Sequence, residues 1–468
     1  MSSLNEKLEA ALDSRRRRNI LRRLPEPTSP TTDPSSTNEE QQLVDFVSND
    51  YLSLTSYQPL RTRVLSALSR SPAILGSGGS RLLVNPSGHD QLEDRLKTYF
   101  DAPAALLFNS GFDANVSLFA CIPQEGDVVV YDEFVHASVH DGLRASRVVR
   151  SSGGEEDRTL IPFEHNSLPS LRRILLSLLS SPSHGTSLLK GSSSVFIAVE
   201  ALYSMDGTLA PLPSIVSLLI ELFPRKNAHL VVDEAHATGL YGPLGRGLVA
   251  HYGLEGCVFA RLCTFGKALG SSGAVVLTSQ LVKDYLLNYA RPLIYTTALS
   301  CANIVAINCS FDLLEDGTTT KLANNLQTLI KYTLDLLRYR LSPFPPHLIA
   351  LPPHLDLPST SPHTNQTNQL QLHAPIIPIM TPLPRPLSIH LRNLGLNARP
   401  ISWPTVPKGK DRVRVCLHAG NSKEEVERLV DGIVEWAERE VRRRAMPTGT
   451  RELEREREFV SVSVQAKL

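Results

Sequence analysis

Short apolar runs alternate with segments of helical periodicity through the middle of the chain. Residues 104–108, 128–131, 194–199, 229–232 and 274–277 are runs of Ala, Val, Leu and Ile with few polar residues, which predicts strands. Gln91 to Phe100, Gly111 to Cys121 and Pro213 to Leu222 space their apolar residues as helices do. Strands apolar on both faces, interleaved with helices, predict an α/β fold: a mainly parallel central sheet covered on both sides.

The flanks read differently. Residues 4–23 predict an amphipathic helix, with Leu4, Leu8, Leu12 and Ile20 among charges, and 24–41 are rich in Pro, Ser and Thr, as loops are. A short strand is expected at Leu43 to Val47. Residues 178–194 are Ser-rich and read as an insertion; 343–372 are rich in Pro, His, Asn and Thr and read as a long surface loop. Beyond it, 374–380, 387–397 and 412–417 predict strand, helix and strand. Lys423 to Arg444 predicts a long helix with acids early and bases late, which suits its macrodipole. The expected organisation is an N-terminal helix and linker (1–48), a large domain (49–300), a smaller α+β domain (301–445) and a charged tail (446–468).

Composition narrows the function. The 468 residues carry 48 basic and 47 acidic side chains, a net charge of +1, which argues against a nucleic-acid binder or a basic membrane-surface protein. No run reaches the ~18 apolar residues of a spanning helix. The six cysteines form neither CxxC pairs nor metal-ligand spacings, so disulfides and zinc are not expected. The Arg-rich N-terminus contains Glu6, Glu9 and Asp13, unlike a mitochondrial leader. The last three residues, Ala466-Lys467-Leu468, resemble a peroxisomal address, which makes the peroxisome, via an import receptor, the expected location and the cytoplasm the alternative.

The candidate chemistry centres on Lys267, within Thr264-Phe265-Gly266-Lys267-Ala268-Leu269-Gly270. A lysine among small residues can approach a flat ring and form a Schiff base with an aldehyde. Upstream, Asp233 ends the apolar run Leu230-Val231-Val232, where an open α/β sheet binds ligands, and His236 follows three residues later. An acid there can hold a pyridinium nitrogen protonated, so that the ring becomes an electron sink. The pair therefore points to pyridoxal 5'-phosphate (PLP). Asp233 and His136 also suit helix starts, and DEAH recurs in helicases, but the chain lacks the GxxxxGK[ST] phosphate loop. Gly111, after the 104–108 strand, opens a helix whose free amides can seat a phosphate. Glu200 and the residues to Gly207 follow another strand. Arg412 and Arg414 alternate on a strand and so face the same side; a guanidinium there can bind a carboxylate, or both can face solvent on an edge.

These motifs stand in a familiar order. SNDYLSL, GSGGSRL, HDQLEDRL, NSGFDAN, DEFVHASVHDG, SMDG, VVDEAHATG, GPLGRG, TFGKALG and IYTTALS resemble the α-oxoamine synthase family of fold-type I PLP enzymes over residues 4–440, the insertions apart. The resemblance implies a PLP-dependent acyltransferase active as a homodimer with shared sites. By motif, it implies Lys267 as the Schiff-base lysine, Asp233 on the pyridine nitrogen, His236 on the ring oxygen, His136 stacked on the ring and Ser204 near the ring oxygen. It implies phosphate binding by the Gly111 and Phe112 amides and the Thr264 hydroxyl, with Thr296 or Thr297 serving the other subunit's phosphate. Arg414 is expected to hold the amino-acid carboxylate, with Asn49 beside it. The N-terminal helix, with Arg22 as a substrate-binding candidate, and the Arg399 to Arg414 run resemble the branch that condenses L-alanine with a pimeloyl thioester in biotin biosynthesis. The Pro404-Thr405-Val406-Pro407 part is shared with 5-aminolevulinate synthases. Sibling branches using glycine or serine, or a non-catalytic partner subunit, are the alternatives. His418-Ala419-Gly420-Asn421 replaces a common Ala-Ala-His pattern and bears on acyl-chain selectivity.

Overall fold

The computed structural model describes residues 3–18, 20–22, 24, 43–148, 158–356 and 372–445. It divides into a unit of Met1–Val44 and a unit of Asp45–Leu468. In the first, α1 (Ser3–Arg17) has Glu6 in its first turn and Arg15, Arg16 and Arg17 in its last, charges that complement its dipole. Leu4, Leu8 and Leu12 form its apolar stripe, as the spacing predicts, and are exposed.

In the second unit, β1 (Ala104–Phe108), β2 (Val128–Asp132), β3 (Leu160–Phe163), β4 (Val195–Glu200), β5 (Ala228–Asp233), β6 (Ala260–Thr264) and β7 (Ala274–Thr278) form one sheet in the order β1-β7-β6-β5-β4-β2-β3. The ladders from β6 through β5, β4 and β2 to β3 are parallel; β7 is antiparallel to both β1 and β6. This is the mainly parallel α/β sheet expected. Alternation along β1 splits the core between its faces. Leu106 and Phe108 pack with Ala114, Leu118 and Val139 on one side. Ala105 and Leu107 pack with Leu92, Leu96, Phe265 and Phe311 on the other. Each of these buried Leu, Val and Phe side chains contributes about 1.5–3 kcal/mol of transfer free energy, so the two layers hold the strand ends in place.

A second sheet, β9-β10-β8, joins β8 (Ile376–Met380), β9 (Arg399–Ile401) and β10 (Arg412–Cys416) antiparallel. Helix Lys423–Ala445 follows, with Glu424 and Glu425 early and Arg442 to Arg444 late. One expectation needs correction. The 343–372 segment is not surface loop throughout: Leu348, Ile349, Leu351 and Leu355 are buried and Ala350 pairs with Met380, because four apolar residues among the prolines find the core. Residues 357–371 lie outside the described residues. In the Ser-rich stretch 178–194, Gly185–Lys190 is helical and Leu188 is buried. The C-terminal Ala-Lys-Leu lies outside the described residues. No described helix is long and apolar enough to cross a membrane.

Candidate active site

The site is built at the carboxyl ends of β4, β5 and β6, where a parallel sheet leaves its last side chains beyond the covering helices. Register sets the first contacts: Glu200 and Asp233 are Cα partners at the ends of β4 and β5, and Asp233 is the partner of Leu262, two residues before Thr264. Sequence reading located Asp233 and Thr264 from the apolar runs they terminate; the ladder makes them neighbours.

Asp233 is buried and held from two sides. Its Oδ2 accepts from Asn115 Nδ2 at 2.8 Å and its Oδ1 from the Ala235 amide at 2.9 Å. Asn115 comes from α2 (Gly111–Cys121) and donates again to Ser138 Oγ at 3.0 Å. Ser138 belongs to α3 (Ala137–Arg144), which His136 caps by accepting from the Ser138 amide at 3.3 Å. The helix-start and site readings of His136 are therefore compatible. His136 is exposed at the α3 N-terminus, its ring centroid 6.3 Å from that of Phe112 in the first turn of α2. The protein around it lowers its pKa by desolvation; Asp233 partly offsets this.

Lys267 follows β6 in the turn after Thr264. Desolvation is the largest influence on its amine and lowers the pKa; the Asp233 and Glu200 carboxylates act the other way, and Arg414 adds to the lowering. Burial and the Asp233 charge push the Glu200 carboxyl up, well above its ordinary range. Burial, then Lys267 and Arg414, hold His236 well below 6.5, so its imidazole is neutral near pH 7. Its Nδ1 lies 2.7 Å from the Tyr51 hydroxyl, which also donates to Asn49 Oδ1 at 3.1 Å.

Arg412 and Arg414 lie on the central strand of the smaller sheet, both buried, and not on a solvent-facing edge. They do share one side, as the alternation predicts. Arg414 donates from Nη2 to Asn49 Oδ1 at 2.9 Å and from Nε to the Ser204 carbonyl at 2.6 Å. Neither acceptor is a carboxylate, and among the described residues Arg414 has no acidic ion-pair partner. A buried guanidinium so placed suits an incoming carboxylate.

Gly111 and Phe112 open α2, where first-turn amides lack intrahelical acceptors. A Cβ at Gly111 would stand 2.6 Å from Thr264 Cγ2, so glycine is what lets these segments close on each other. Thr264 Oγ1 donates to the Ala235 carbonyl at 3.3 Å. Thr296 and Thr297 are held by Asn109, two residues before Gly111: its Nδ2 reaches Thr296 Oγ1 at 3.4 Å and the Thr297 carbonyl at 2.7 Å. Arg22 is an exposed residue of the Met1–Val44 unit. Tyr51 and Asn115 were given no role from sequence, although both stand inside quoted motifs.

Comparison with known proteins finds relatives over most of the chain. The family model for aminotransferase class I and II matches residues 41–433. An 8-amino-7-oxononanoate synthase of Emericella nidulans is 42% identical over 408 residues, 86% of this chain and 91% of that protein. The aminoacyl transferase sphA of Aspergillus fumigatus is 37% identical over 434 residues, 92% of this chain and 86% of that one. Among solved structures, a serine palmitoyltransferase from S. paucimobilis with bound PLP and myriocin shares the fold at a TM-score of 0.70 and 20% identity, covering 93% of this chain and 98% of that one.

Proposed function

Because the chain belongs to the class I and II aminotransferase family, and within it to the α-oxoamine synthases, we propose that it joins L-alanine to a pimeloyl thioester, releasing CO₂ and the free thiol and giving 8-amino-7-oxononanoate. The observation that carries the reading is that a buried Arg414, without an acidic partner among the described residues, stands with a half-buried Lys267 whose amine is pushed towards neutrality.

The residues fit PLP. Asp233, buried and held by Asn115 and the Ala235 amide, would hold the pyridine nitrogen. The Gly111 and Phe112 amides and Thr264 would hold the phosphate, and Lys267 the aldehyde. His136 would lie against the ring, with His236 and Ser204 near its oxygen. When bound, PLP supplies an aldehyde that takes the amino group and a ring that accepts the electron pair left at Cα.

The protein's own groups then divide the work. Arg414, steadied by Asn49, binds the amino-acid carboxylate and so orients the bonds at Cα. Lys267, with its lowered pKa, takes the Cα proton and returns one after decarboxylation. With the Tyr51 hydroxyl proton turned from Asn49 to Nδ1, neutral His236 carries its own proton on Nε2 and is the candidate donor to the thioester carbonyl oxygen as charge develops there. The homodimer belongs to the same proposal, with Thr296 and Thr297 serving the partner's phosphate.

Purified protein assayed with alanine, glycine and serine against pimeloyl-, acetyl-, succinyl- and palmitoyl-CoA tests the reading. Preference for alanine with pimeloyl-CoA is expected; preference for another pair would overturn it. A second reading is a sibling condensation that uses another amino acid and another acyl chain; the aminoacyl transferase sphA matches 92% of this chain. Turnover of palmitoyl-CoA in preference to pimeloyl-CoA would select it.

A further inference from the structure

Arg412 and Arg414 reach the same turn but end in different electrostatic states. Arg412 is 2% exposed, and its Nη1 donates to the Met205 carbonyl at 3.0 Å and forms an ion pair with the Asp206 carboxylate. Arg414 grips the same turn two residues earlier, through the Ser204 carbonyl, and has no carboxylate partner among the described residues. The turn is clamped elsewhere as well. His354 Nε2 lies 3.1 Å from the Asp206 carbonyl, and Gly207, at φ +66°, comes so close to the Ile376 carbonyl that a Cβ would stand 2.3 Å from its oxygen. On the far side, His165 Nε2 meets Thr208 Oγ1 at 2.8 Å and Asn166 donates to the Leu209 carbonyl at 3.1 Å. Asp206 is thus the acid held nearest, along the chain, to the turn that Arg414 already binds.

We propose that Arg412 is a positioning residue that sequesters the Asp206 carboxylate, so that Arg414 is left without an internal counter-ion and open to the substrate carboxylate. A buried cation stripped of water draws any carboxylate within reach. Were Arg412 neutral, Asp206 would be an unpaired, mostly buried anion on a turn fixed beside Arg414. It would pair with Arg414 and compete with the amino acid. The inference rests on the reading of Arg414 as the carboxylate site.

Steady-state kinetics of the holoenzyme tests it with three variants. Arg414→Gln should raise the KM for the amino acid; if it does not, the reading of Arg414 fails and the inference with it. Given that rise, Arg412→Leu should raise the amino-acid KM about tenfold or more, with the thioester KM unchanged. The double variant Arg412→Leu/Asp206→Asn, which removes the competing charge, should return the KM towards the wild-type value. An Arg412→Leu protein with an unchanged amino-acid KM, or a double variant as impaired as the single one, overturns the sequestration while leaving Arg414 in its role. If Arg412→Leu does not fold, Arg412→Gln, which keeps a donor for the Met205 carbonyl, carries the same expectations alone and with Asp206→Asn.

Discussion

The Tyr51 hydroxyl lies 2.7 Å from His236 Nδ1, joining residues 185 positions apart in the buried centre of the site. The imidazole is held neutral by burial and by Lys267 and Arg414, so this contact decides which ring nitrogen carries the proton. Tyr51→Phe removes the partner without changing shape. It leaves a buried polar nitrogen unpaired, which costs about 1–3 kcal/mol. We expect a lower unfolding midpoint in denaturant and a reduced kcat, with a smaller change in the amino-acid KM because the Arg414–Asn49 bond remains. A kcat equal to the wild type's would show that the hydroxyl has no part in turnover.

The charges around Lys267 predict how its reactivity follows pH. Burial depresses its pKa below 10.5, with Arg414 lowering it and Asp233 raising it. The neutral amine is the reactive form, so acylation of Lys267 in the apoprotein should reach half its maximum below pH 10.5. Replacing Arg414 by Gln removes a positive neighbour, favours the ammonium and should move that midpoint up. Asp233→Asn removes a negative neighbour and should move it down. Peptide-resolved mass spectrometry after pulse labelling reads all three; opposite shifts in the two variants are required.

The residues that can be read from one strand were legible in the sequence, and those defined by a distant partner were not. Asp233 and Thr264 each end an apolar run, and Lys267 stands among small residues, so each carries its own local signal. Tyr51 depends on His236, and Asp206 on Arg412, 206 positions away; nothing near either residue marks the partner. Glu200 was placed by the strand before it, but its register with Asp233 needed the ladder. The 24-residue helix Thr318–Leu341 gives a weak sequence signal because polar and charged residues interrupt its apolar stripe of Leu326, Leu329, Ile330, Leu334 and Leu337. In 343–356, proline set the composition while leucine and isoleucine set the packing.

Glu234, beside Asp233, is fully buried and receives Arg261 through Nε at 3.0 Å and Nη2 at 2.8 Å, along with the Val249 amide at 2.9 Å. The pair lies beneath the turn that carries Asp233 and His236. Removing one charge strands the other out of water, so Glu234→Ala should cost about 3–5 kcal/mol of folding free energy. Replacing both by hydrophobic residues of similar volume should cost less than the single change. Denaturant unfolding of the two variants checks the order; an equal or greater loss in the double variant would contradict it.

The close approach of Gly111 to Thr264 makes the phosphate seat testable without reference to turnover. A methyl group at position 111 would meet Thr264 Cγ2 at 2.6 Å, nearer than carbon atoms tolerate. Gly111→Ala should therefore force Thr264 to rotate, losing the Oγ1 bond to the Ala235 carbonyl, and should push the first turn of the helix away from the strand end. We expect PLP to bind at least about tenfold more weakly, about 1.4 kcal/mol, with the unfolding midpoint of the apoprotein little changed because the α2 N-terminus is only half buried. Serine lacks Cγ2, so Thr264→Ser combined with Gly111→Ala should regain most of the affinity while Thr264→Ser alone changes little. Fluorescence titration of the three apoproteins with PLP measures this. If the double variant binds as weakly as Gly111→Ala, the steric account of this glycine is wrong.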